Sequence, residues 1–287
     1  MSIRKLLLPL TGTAAGEAAL STALQVARRF DAHVSALHVR VDSRDVAPLA
    51  GEGLSGAMIE EMMAATEKES GDRSDAVRAM FDRFVAKHGV TLAPPRLGEG
   101  ATASFEVVTG REDDLVAQLA RLADICIVPH PEGGDEVSSS NALHAVLFDS
   151  GRPVLIAAHE APPSIGERVC VAWNGTPESA EAVAAALPWL ERARAVRILH
   201  ADEYQRRGPA APELAKYLLL HGIAAEVAQF RPVDREVGRG LLAAAAEFGA
   251  DLLCMGAYSH SRLRQLILGG VTRHVLEKAR IPVLMTR

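Results

Sequence analysis

The stretch Lys5-Leu-Leu-Leu-Pro-Leu-Thr-Gly-Thr13 decides the fold, because it recurs later in the chain as Arg168-Val-Cys-Val-Ala-Trp-Asn-Gly-Thr176. Each copy is an apolar run that ends in a Gly-Thr turn, and an Ala-rich segment of helical length follows it without a gap. An apolar run, a turn and a helix are the first parts of a strand–helix unit. The repeat therefore predicts that one α/β unit occurs twice in the chain.

Three further pairs of segments recur in the same order along the chain. They are Val34–His38 and Val196–His200, Leu115–Asp124 and Leu242–Asp251, and residues 140–156 and 269–285. The last pair closes each copy on a Pro-Val-Leu strand. With a third strand near Phe105–Val108 in the first copy and Ala225–Phe230 in the second, each copy has five strands.

Strands that are continuous apolar runs, alternating with helices, are typical of parallel sheets covered on both faces. Right-handed crossovers then give a doubly wound sheet. The sequence predicts an α/β protein of two Rossmann-like domains, each with a five-stranded parallel sheet. The first domain covers residues 1–159 and the second residues 167–287, and the Pro-rich stretch 160–166 is the linker.

The first copy carries an insertion over about residues 42–89 that the second copy lacks. Its apolar residues recur at helical spacing, which predicts a long helix. They are Met58, Ile59, Met62, Met63, Val77, Met80, Phe81 and Phe84. Two interpretations stay open: packing within the chain, or an adaptable Met-rich surface for a partner.

Composition excludes several classes of function. The formal net charge of −5 provides no basic field for nucleic acid, and the apolar runs are of strand length, too short to span a membrane. Cys126, Cys170 and Cys254 each lie inside a strand pattern, without the spacing of a metal site or disulfide framework. We therefore expect reduced structural thiols, no metal site and a cytoplasmic location.

No catalytic motif stands out in the sequence. The string Gly51-Glu-Gly-Leu-Ser-Gly56 fits a dinucleotide-binding pattern, but it begins well after the second strand rather than in a first strand–helix turn. The chain has no phosphate-binding Gly-x4-Gly-Lys-Ser/Thr loop, no His-Glu-x2-His and no nucleophile elbow. We therefore predict a protein that is not an enzyme.

The segment from Met255 to Leu276 resembles the universal stress protein family, whose nucleotide-binding members carry a Gly-x2-Gly-x9-Gly-Ser/Thr loop at this position. Gly256 and Gly269 match the first and third glycines, while Ser259 replaces the second glycine and Gly270 the Ser/Thr. The resemblance covers both copies. It implies an adenine-nucleotide-α-hydrolase-like fold and a non-enzymatic role in the stress response.

The resemblance also implies that the second copy binds ATP or a related adenine nucleotide, with Mg²⁺ accompanying it. The residues expected to form this site are Asn174, Gly175, Thr176, Gly256, Ser259, Arg262, Gly269, Gly270, Val271 and Thr272. Small residues let the backbone approach a phosphate, and a helix beginning near Gly270 would direct its unpaired N–H groups at it. Asn174 stands where ATP-binding relatives have Asp, so retention of the nucleotide stays open.

The first copy is a poorer candidate, because its equivalent loop contains Glu132, Asp135 and Glu136. At most one nucleotide per chain is therefore expected. The alternative is a nucleotide-independent scaffold for protein partners that uses the paired domains and the helical insertion. The resemblance further implies an intrachain pseudo-dimer joined by strands near Val154 and Val283, and it leaves association into a homodimer open.

Overall fold

A computed structural model describes residues 2–40, 56–96, 98, 100–131, 141–205, 208–257 and 270–287. Its first half contains strands β1 (Lys5–Pro9), β2 (His33–Arg40), β3 (Thr91–Leu92), β4 (Thr102–Thr109), β5 (Ile125–Val128) and β6 (Val154–Ile156). The helices of this half are α1 (Ala14–Phe30), α2 (Gly56–Lys87), α3 (Glu112–Ala120) and α4 (Asn141–Ala145), the last continued by a π-helical turn over Val146–Ser150.

The second half contains strands β7 (Arg168–Ala172), β8 (Ala195–His200), β9 (Ala225–Gln229), β10 (Leu252–Gly256) and β11 (Val283–Thr286). Its helices are α5 (Pro177–Leu190), α6 (Ala211–Leu220), α7 (Val237–Phe248) and α8 (Gly270–Lys278), with a short 3-10 helix at Asp202–Tyr204. Each predicted repeat thus appears as strands alternating with helices, and the α/β class is confirmed.

All eleven strands of the described chain form one sheet, in the order β3-β4-β2-β1-β5-β6-β11-β10-β7-β8-β9. The second half has the five strands expected of it, whereas the first half has a sixth, the short edge strand β3. Residues 91 and 92 follow the insertion helix and pair with the start of β4. The extra strand therefore arises from the insertion, which the second half lacks.

The two halves meet where β6 pairs antiparallel with β11, and the register joins Val283 to Ile156 and Met285 to Val154. The other pairs in the described sheet are parallel. Helices α1 and α5 also meet at this seam, where the rings of Phe30 and Trp189 are 4.8 Å apart in an edge arrangement. Sheet and helices thus both join the halves.

Helices cover both faces of the sheet, and each face has its own core. One core packs α1, the second part of α2, α5 and α6 against the strands. The other packs α3, α4, α7 and α8 against the opposite face. Because the central strands β1, β5, β6, β10 and β11 are buried on both sides, their sequences are apolar runs rather than alternating ones.

The insertion forms the 32-residue helix α2, but only its second part is packed. Its buried residues are Ser74, Val77, Met80, Phe81 and Val85. In its first part Met58 is 53% exposed, while Met62 and Met63 are half-buried. Packing within the chain is confirmed for the second part of the helix, and the partner surface stays a prediction for the first part.

Among the described residues, no helix combines the length and apolar character needed to cross a bilayer.

The seam yields a stability prediction. Trp189 is fully buried, so Trp189→Ala should lower the free energy of unfolding by about 3–5 kcal/mol through lost burial and a cavity. Urea denaturation followed by circular dichroism measures this change. The control is Leu220→Ala on the same face, where the side chain is 87% exposed, and it should change stability by no more than about 0.5 kcal/mol. Equal effects of the two variants would contradict the described packing.

Candidate functional site

The candidate site lies at the carboxyl ends of β7 and β10. The parallel register joins Cys254 to Val171, so the residues that follow both strands reach the same edge of the sheet. The chain leaves β7 through α5 on one face of the sheet, whereas α7 and α8 flank β10 on the other face. A change of face between neighbouring strands opens a crevice, and open α/β sheets bind ligands there.

The turn after β7 contains three predicted site residues, and their side chains bond to one another. The Asn174 Oδ1 atom accepts hydrogen bonds from the Thr176 backbone N–H at 3.2 Å and from its hydroxyl at 2.9 Å. Thr176 is the N-cap of α5, and its Oγ1 atom accepts from the Ser179 N–H at 3.3 Å. Asn174 and Thr176 therefore stabilise the start of α5.

The third residue of this turn, Gly175, is covered by the segment that follows β8. A Cβ atom on Gly175 would lie 2.6 Å from Nε2 of Gln205, and one on Gly208 would lie 2.0 Å from the Gly175 oxygen. The Trp173 indole N–H holds this segment by donating to the Pro209 carbonyl at 2.9 Å. A ligand therefore does not reach Gly175 in this conformation.

Gly256, at the end of β10, lies against the first turn of α5. A Cβ atom here would be 2.5 Å from the carbonyl carbon of Glu178 and 2.6 Å from the nitrogen of Ser179. The Thr286 hydroxyl donates to the Glu178 carbonyl at 3.2 Å, so the end of β11 holds the same turn. The missing side chain of Gly256 thus has a packing role.

The first turn of α8 carries the remaining described residues of the predicted site. Gly270 is exposed, and no atom of the described residues lies within 4 Å of an added Cβ atom. Val271 packs partly on the core below, and Thr272 is buried. Ser259, Arg262 and Gly269 lie outside the described residues, as do Glu132, Asp135 and Glu136 of the first copy.

A cavity of about 340 Å³ opens beside the start of α8. The lining residues come from the 3-10 helix after β8 and from the starts of α7 and α8: Tyr204, Arg235, Glu236, Val237, Gly238, Gly270, Val271 and His274. Gly238 lets α7 approach α8, because an added Cβ atom would be 2.8 Å from the Cβ atom of His274. The first turns of two helices thus border one cavity.

A tight turn before α7 forms the outer wall of this cavity. Val233 and Glu236 exchange backbone hydrogen bonds, and the Glu236 N–H donates at 2.8 Å. Asp234 and Arg235 between them have φ values of 52° and 65°, the left-handed region that costs a non-glycine residue about 1–2 kcal/mol. Asp234 is also ion-paired with Arg239. The turn thereby places Arg235 beside the cavity.

The cavity has groups of both charges. The carboxylate of Glu236 lies 3.6 Å from Nδ1 of His274, and the guanidinium-bearing Arg235 is exposed beside it. Glu236 is also the N-cap of α7, but its side chain makes no capping bond. The first N–H groups of α7 therefore receive no bond from the side chain of their N-cap residue.

In the first half, Gly12 is the counterpart of Gly175, and helix α2 of the insertion packs over it. A Cβ atom on Gly12 would lie 3.2 Å from the Val77 side chain of α2. His38 is buried and its Nδ1 lies 3.0 Å from the Leu10 carbonyl. Burial raises the pKa of nearby Glu112, with the His38 charge opposing the shift. In the described part of the first half, α2 therefore packs over the turn that follows β1.

The cysteines are buried inside strands of both halves. Burial raises the pKa of the Cys170 thiol to about 12 and the pKa values of Cys126 and Cys254 still further. Thiols with raised pKa values stay protonated near neutral pH and are poor nucleophiles and metal ligands. Within the part of the chain that the structure describes, no three His, Cys, Asp or Glu side chains form a metal-binding group.

The structure thus brings only part of the predicted site together. Gly270 and Val271 line the cavity, whereas Asn174, Gly175, Thr176 and Gly256 belong to a turn and a packing contact. Tyr204, Arg235, Gly238 and His274 also line the cavity and were not predicted from the sequence. A usable signal was the Pro232–Glu236 stretch, because it follows a strand at the same sheet edge as the β10 loop.

Comparison with known proteins identifies relatives of both the sequence and the fold. Residues 166–287 match the universal stress protein family. Over 37 residues the chain is 57% identical to Universal stress protein Slr1230 of Synechocystis, a match that spans 13% of the length of either protein.

Solved structures match nearly the whole chain. A universal stress protein from Archaeoglobus fulgidus has a TM-score of 0.71 at 16% identity, over 99% of this chain and 98% of that one. A putative universal stress protein from Pseudomonas aeruginosa has a TM-score of 0.55 at 15% identity, over 99% and 93%. At these identities the likeness shows a shared fold.

Two glycines at this edge should respond differently to the same substitution. Gly256→Ala should lower the free energy of unfolding by about 1–3 kcal/mol, because the methyl group would overlap the α5 backbone. Gly270→Ala should leave it unchanged or raise it by up to about 1 kcal/mol, since a helical alanine replaces glycine in open space. Urea denaturation of both variants tests the pair. A neutral Gly256→Ala would show that α5 does not rest on β10.

Proposed function

We propose, on the premise that residues 166–287 belong to the universal stress protein family, that this protein is a stress-response protein that binds an adenine nucleotide without turning it over. ATP or a relative of it is the expected ligand. The site is the cavity of about 340 Å³ in the second half of the chain. We further propose that the protein acts in the cytoplasm, which the three unpaired cysteines favour.

One observation carries the nucleotide proposal: helices α7 and α8 both begin at the same cavity. The first N–H groups of a helix are unpaired and lie at the positive end of its dipole, so they bind phosphate. Gly270 leaves open space in front of α8, which permits close approach. The volume lies within the range of small-molecule sites, about 300–1,000 Å³.

The other walls fit the remaining parts of the ligand. Arg235 supplies positive charge beside the phosphates, and the Tyr204 ring offers an apolar surface to the base. The carboxylate of Glu236 suits a Mg²⁺ ion held between protein and phosphates. The base would lie toward Tyr204 rather than Gly175, because Gln205 and Gly208 cover that glycine.

Ser259, Arg262 and Gly269 remain part of the proposal, because they stand between β10 and α8 in the chain. Asn174 and Thr176 would support the site from a distance through the start of α5. We propose no turnover, since the chain lacks the loop, metal-binding and nucleophile motifs of nucleotide hydrolases.

Titration calorimetry with ATP, ADP or AMP in the presence of Mg²⁺ tests the proposal. Gly270→Asp should weaken ATP binding at least tenfold, about 1.4 kcal/mol, because the new carboxylate opposes the phosphates at the start of α8. The fold should survive, since an acidic residue is favourable in the first turn of a helix. Gly270→Ala is the matched control and should bind within about twofold of the parent.

Two results would contradict the nucleotide proposal. One is the absence of binding heat with the parent protein at millimolar nucleotide. The other is equal affinity of Gly270→Asp and Gly270→Ala. Release of phosphate during the titration, measured colorimetrically, would contradict the proposed lack of turnover.

The exposed first part of α2 supports the second candidate function, a nucleotide-independent scaffold. No residue before Ser74 is buried in the described helix, although the helix begins at Gly56. Arg40 anchors its middle, since the guanidinium donates to the Ser70 hydroxyl at 3.2 Å. Ile59, Met62 and Met63 are half-exposed beyond this anchor. Such a surface suits an apolar partner.

If the protein is a scaffold, the apolar residues of this surface are needed for partner capture and stress survival, whereas nucleotide binding is not. Replacing Ile59, Met62 and Met63 together by serine should abolish stress survival and partner capture, yet leave ATP calorimetry unchanged. The control replaces the exposed Glu60, Glu61 and Ala64 of the same turns by serine. Full survival of the apolar variant would exclude this function.

A further inference from the structure

A second cavity lies at the seam between the halves. It shares no lining residue with the proposed nucleotide site. Its volume is about 280 Å³, and it opens between the start of β5 and β6, the end of β11 and helix α5. Its lining includes Asp124, Arg152, Ala184, Ala185, Pro188 and Arg287. The surface along α5 is formed by Ala184, Ala185 and Pro188, with the exposed Glu181 at its beginning.

The internal repeat gives this crevice a counterpart on the other side of the seam. Thr13 and Thr176 are equivalent N-caps, and counting from them places Gln25 of α1 opposite Pro188 of α5. In the same way Asp124 before β5 is equivalent to Asp251 before β10. Gln25 and Asp251 therefore mark the counterpart crevice.

The chain's own segment 160–166, between β6 and β7, occupies that counterpart. The Gln25 Nε2 donates to the carbonyl of Pro162 at 3.0 Å. Further on, the hydroxyl of Ser164 donates to Oδ2 of Asp251 at 2.8 Å, and Ile165 is only 4% exposed. The Pro-Pro-Ser segment thus contacts α1 through Pro162 and the aspartate through Ser164.

The open crevice keeps the anchoring aspartate of the filled one. The N–H groups of Arg4 and Lys5 donate to Asp124 at 2.7 and 2.9 Å, as those of Glu167 and Arg168 donate to Asp251. Among the described residues, however, no hydroxyl donates to Asp124 as Ser164 does to Asp251.

The wall along the helix differs between the two crevices. Pro188 stands in place of Gln25, and Ala184 and Ala185 stand in place of Ser21 and Thr22, while Glu181 stands in place of Ala18 one turn earlier. The loss of the Gln25 amide removes a polar donor, and the small side chains leave room above α5. Such a wall suits proline rings.

We infer that this crevice binds an extended, proline-containing segment of a partner protein. The segment lies along α5 as residues 160–166 lie along α1, with prolines on Ala184 and Pro188 and a Ser or Thr hydroxyl donating to Asp124. The lining carries two arginines, Arg152 and Arg287, and two carboxylates, Asp124 and Glu181, so we assign no charge preference to the segment. The inference does not depend on nucleotide binding.

The probe is a fluorescein-labelled peptide with the sequence of residues 158–166, Ala-His-Glu-Ala-Pro-Pro-Ser-Ile-Gly, added to the full-length protein. Fluorescence anisotropy should show saturable binding with a Kd below about 1 mM. Ala184→Phe fills the crevice and should weaken binding at least tenfold. Ala180→Phe is the matched control, because Ala180 is exposed on the same helix but does not line the crevice; its binding should stay within twofold.

Peptides with the two prolines replaced by alanine, or the serine replaced by alanine, should each bind more weakly than the parent peptide. Circular dichroism melts of both protein variants verify that they fold. The absence of saturable binding would overturn the inference. So would binding that Ala184→Phe leaves unchanged, because the peptide would then bind elsewhere, for example by displacing the chain's own segment beside α1.

Discussion

The antiparallel pairing of β6 with β11 is the interaction on which the rest of the structure depends. Each half closes on a short apolar strand that has a partner on one side only, and an unpaired edge exposes a row of backbone donors and acceptors. Pairing the two last strands satisfies both edges within one chain. The sheet therefore continues across the seam, and the Phe30–Trp189 contact follows from it.

The seam also has two related crevices, of which one is filled by the chain and the other is open. Pairing across a pseudo-two-fold axis creates two equivalent crevices, and one chain has only one connecting segment to place in them. Residues 160–166 fill the crevice beside α1 through Gln25 and Asp251. The crevice beside α5 is open, and it is lined by Asp124 and by Ala184, Ala185 and Pro188 of α5. A tandem arrangement thus turns a symmetric feature into a filled one and an open one.

The insertion breaks the symmetry at the opposite edge. The second part of α2 packs over Gly12, which closes the first turn of the first half. In the second half a shorter segment covers Gly175, and the starts of α7 and α8 border a cavity. The described turns after β1 and β7 are thus covered by different segments of the chain.

Much of the fold could be predicted from the sequence, and the candidate site only in part. Apolar runs, turns and helical spacing are local signals, so β1, β7 and the long helix α2 follow directly from the residues. The short strand β3 was missed, because two exposed residues carry no pattern. The helix start at Gly270 was correctly predicted. Arg235 was not predicted as a site residue, because it lies before α7, outside the glycine-rich segment between β10 and α8.

By itself the amino-acid sequence determined the duplication, the α/β class, the buried strands and the segment that resembles a phosphate-binding loop. Only the tertiary structure decided that Gly256 faces the backbone of α5, that Gly175 is covered and that two helix starts border one cavity. The physical reason is the distance along the chain between the residues that interact. A repeat and an apolar run depend on neighbouring residues, whereas a cavity or a covered glycine depends on packing between elements that are far apart in the chain.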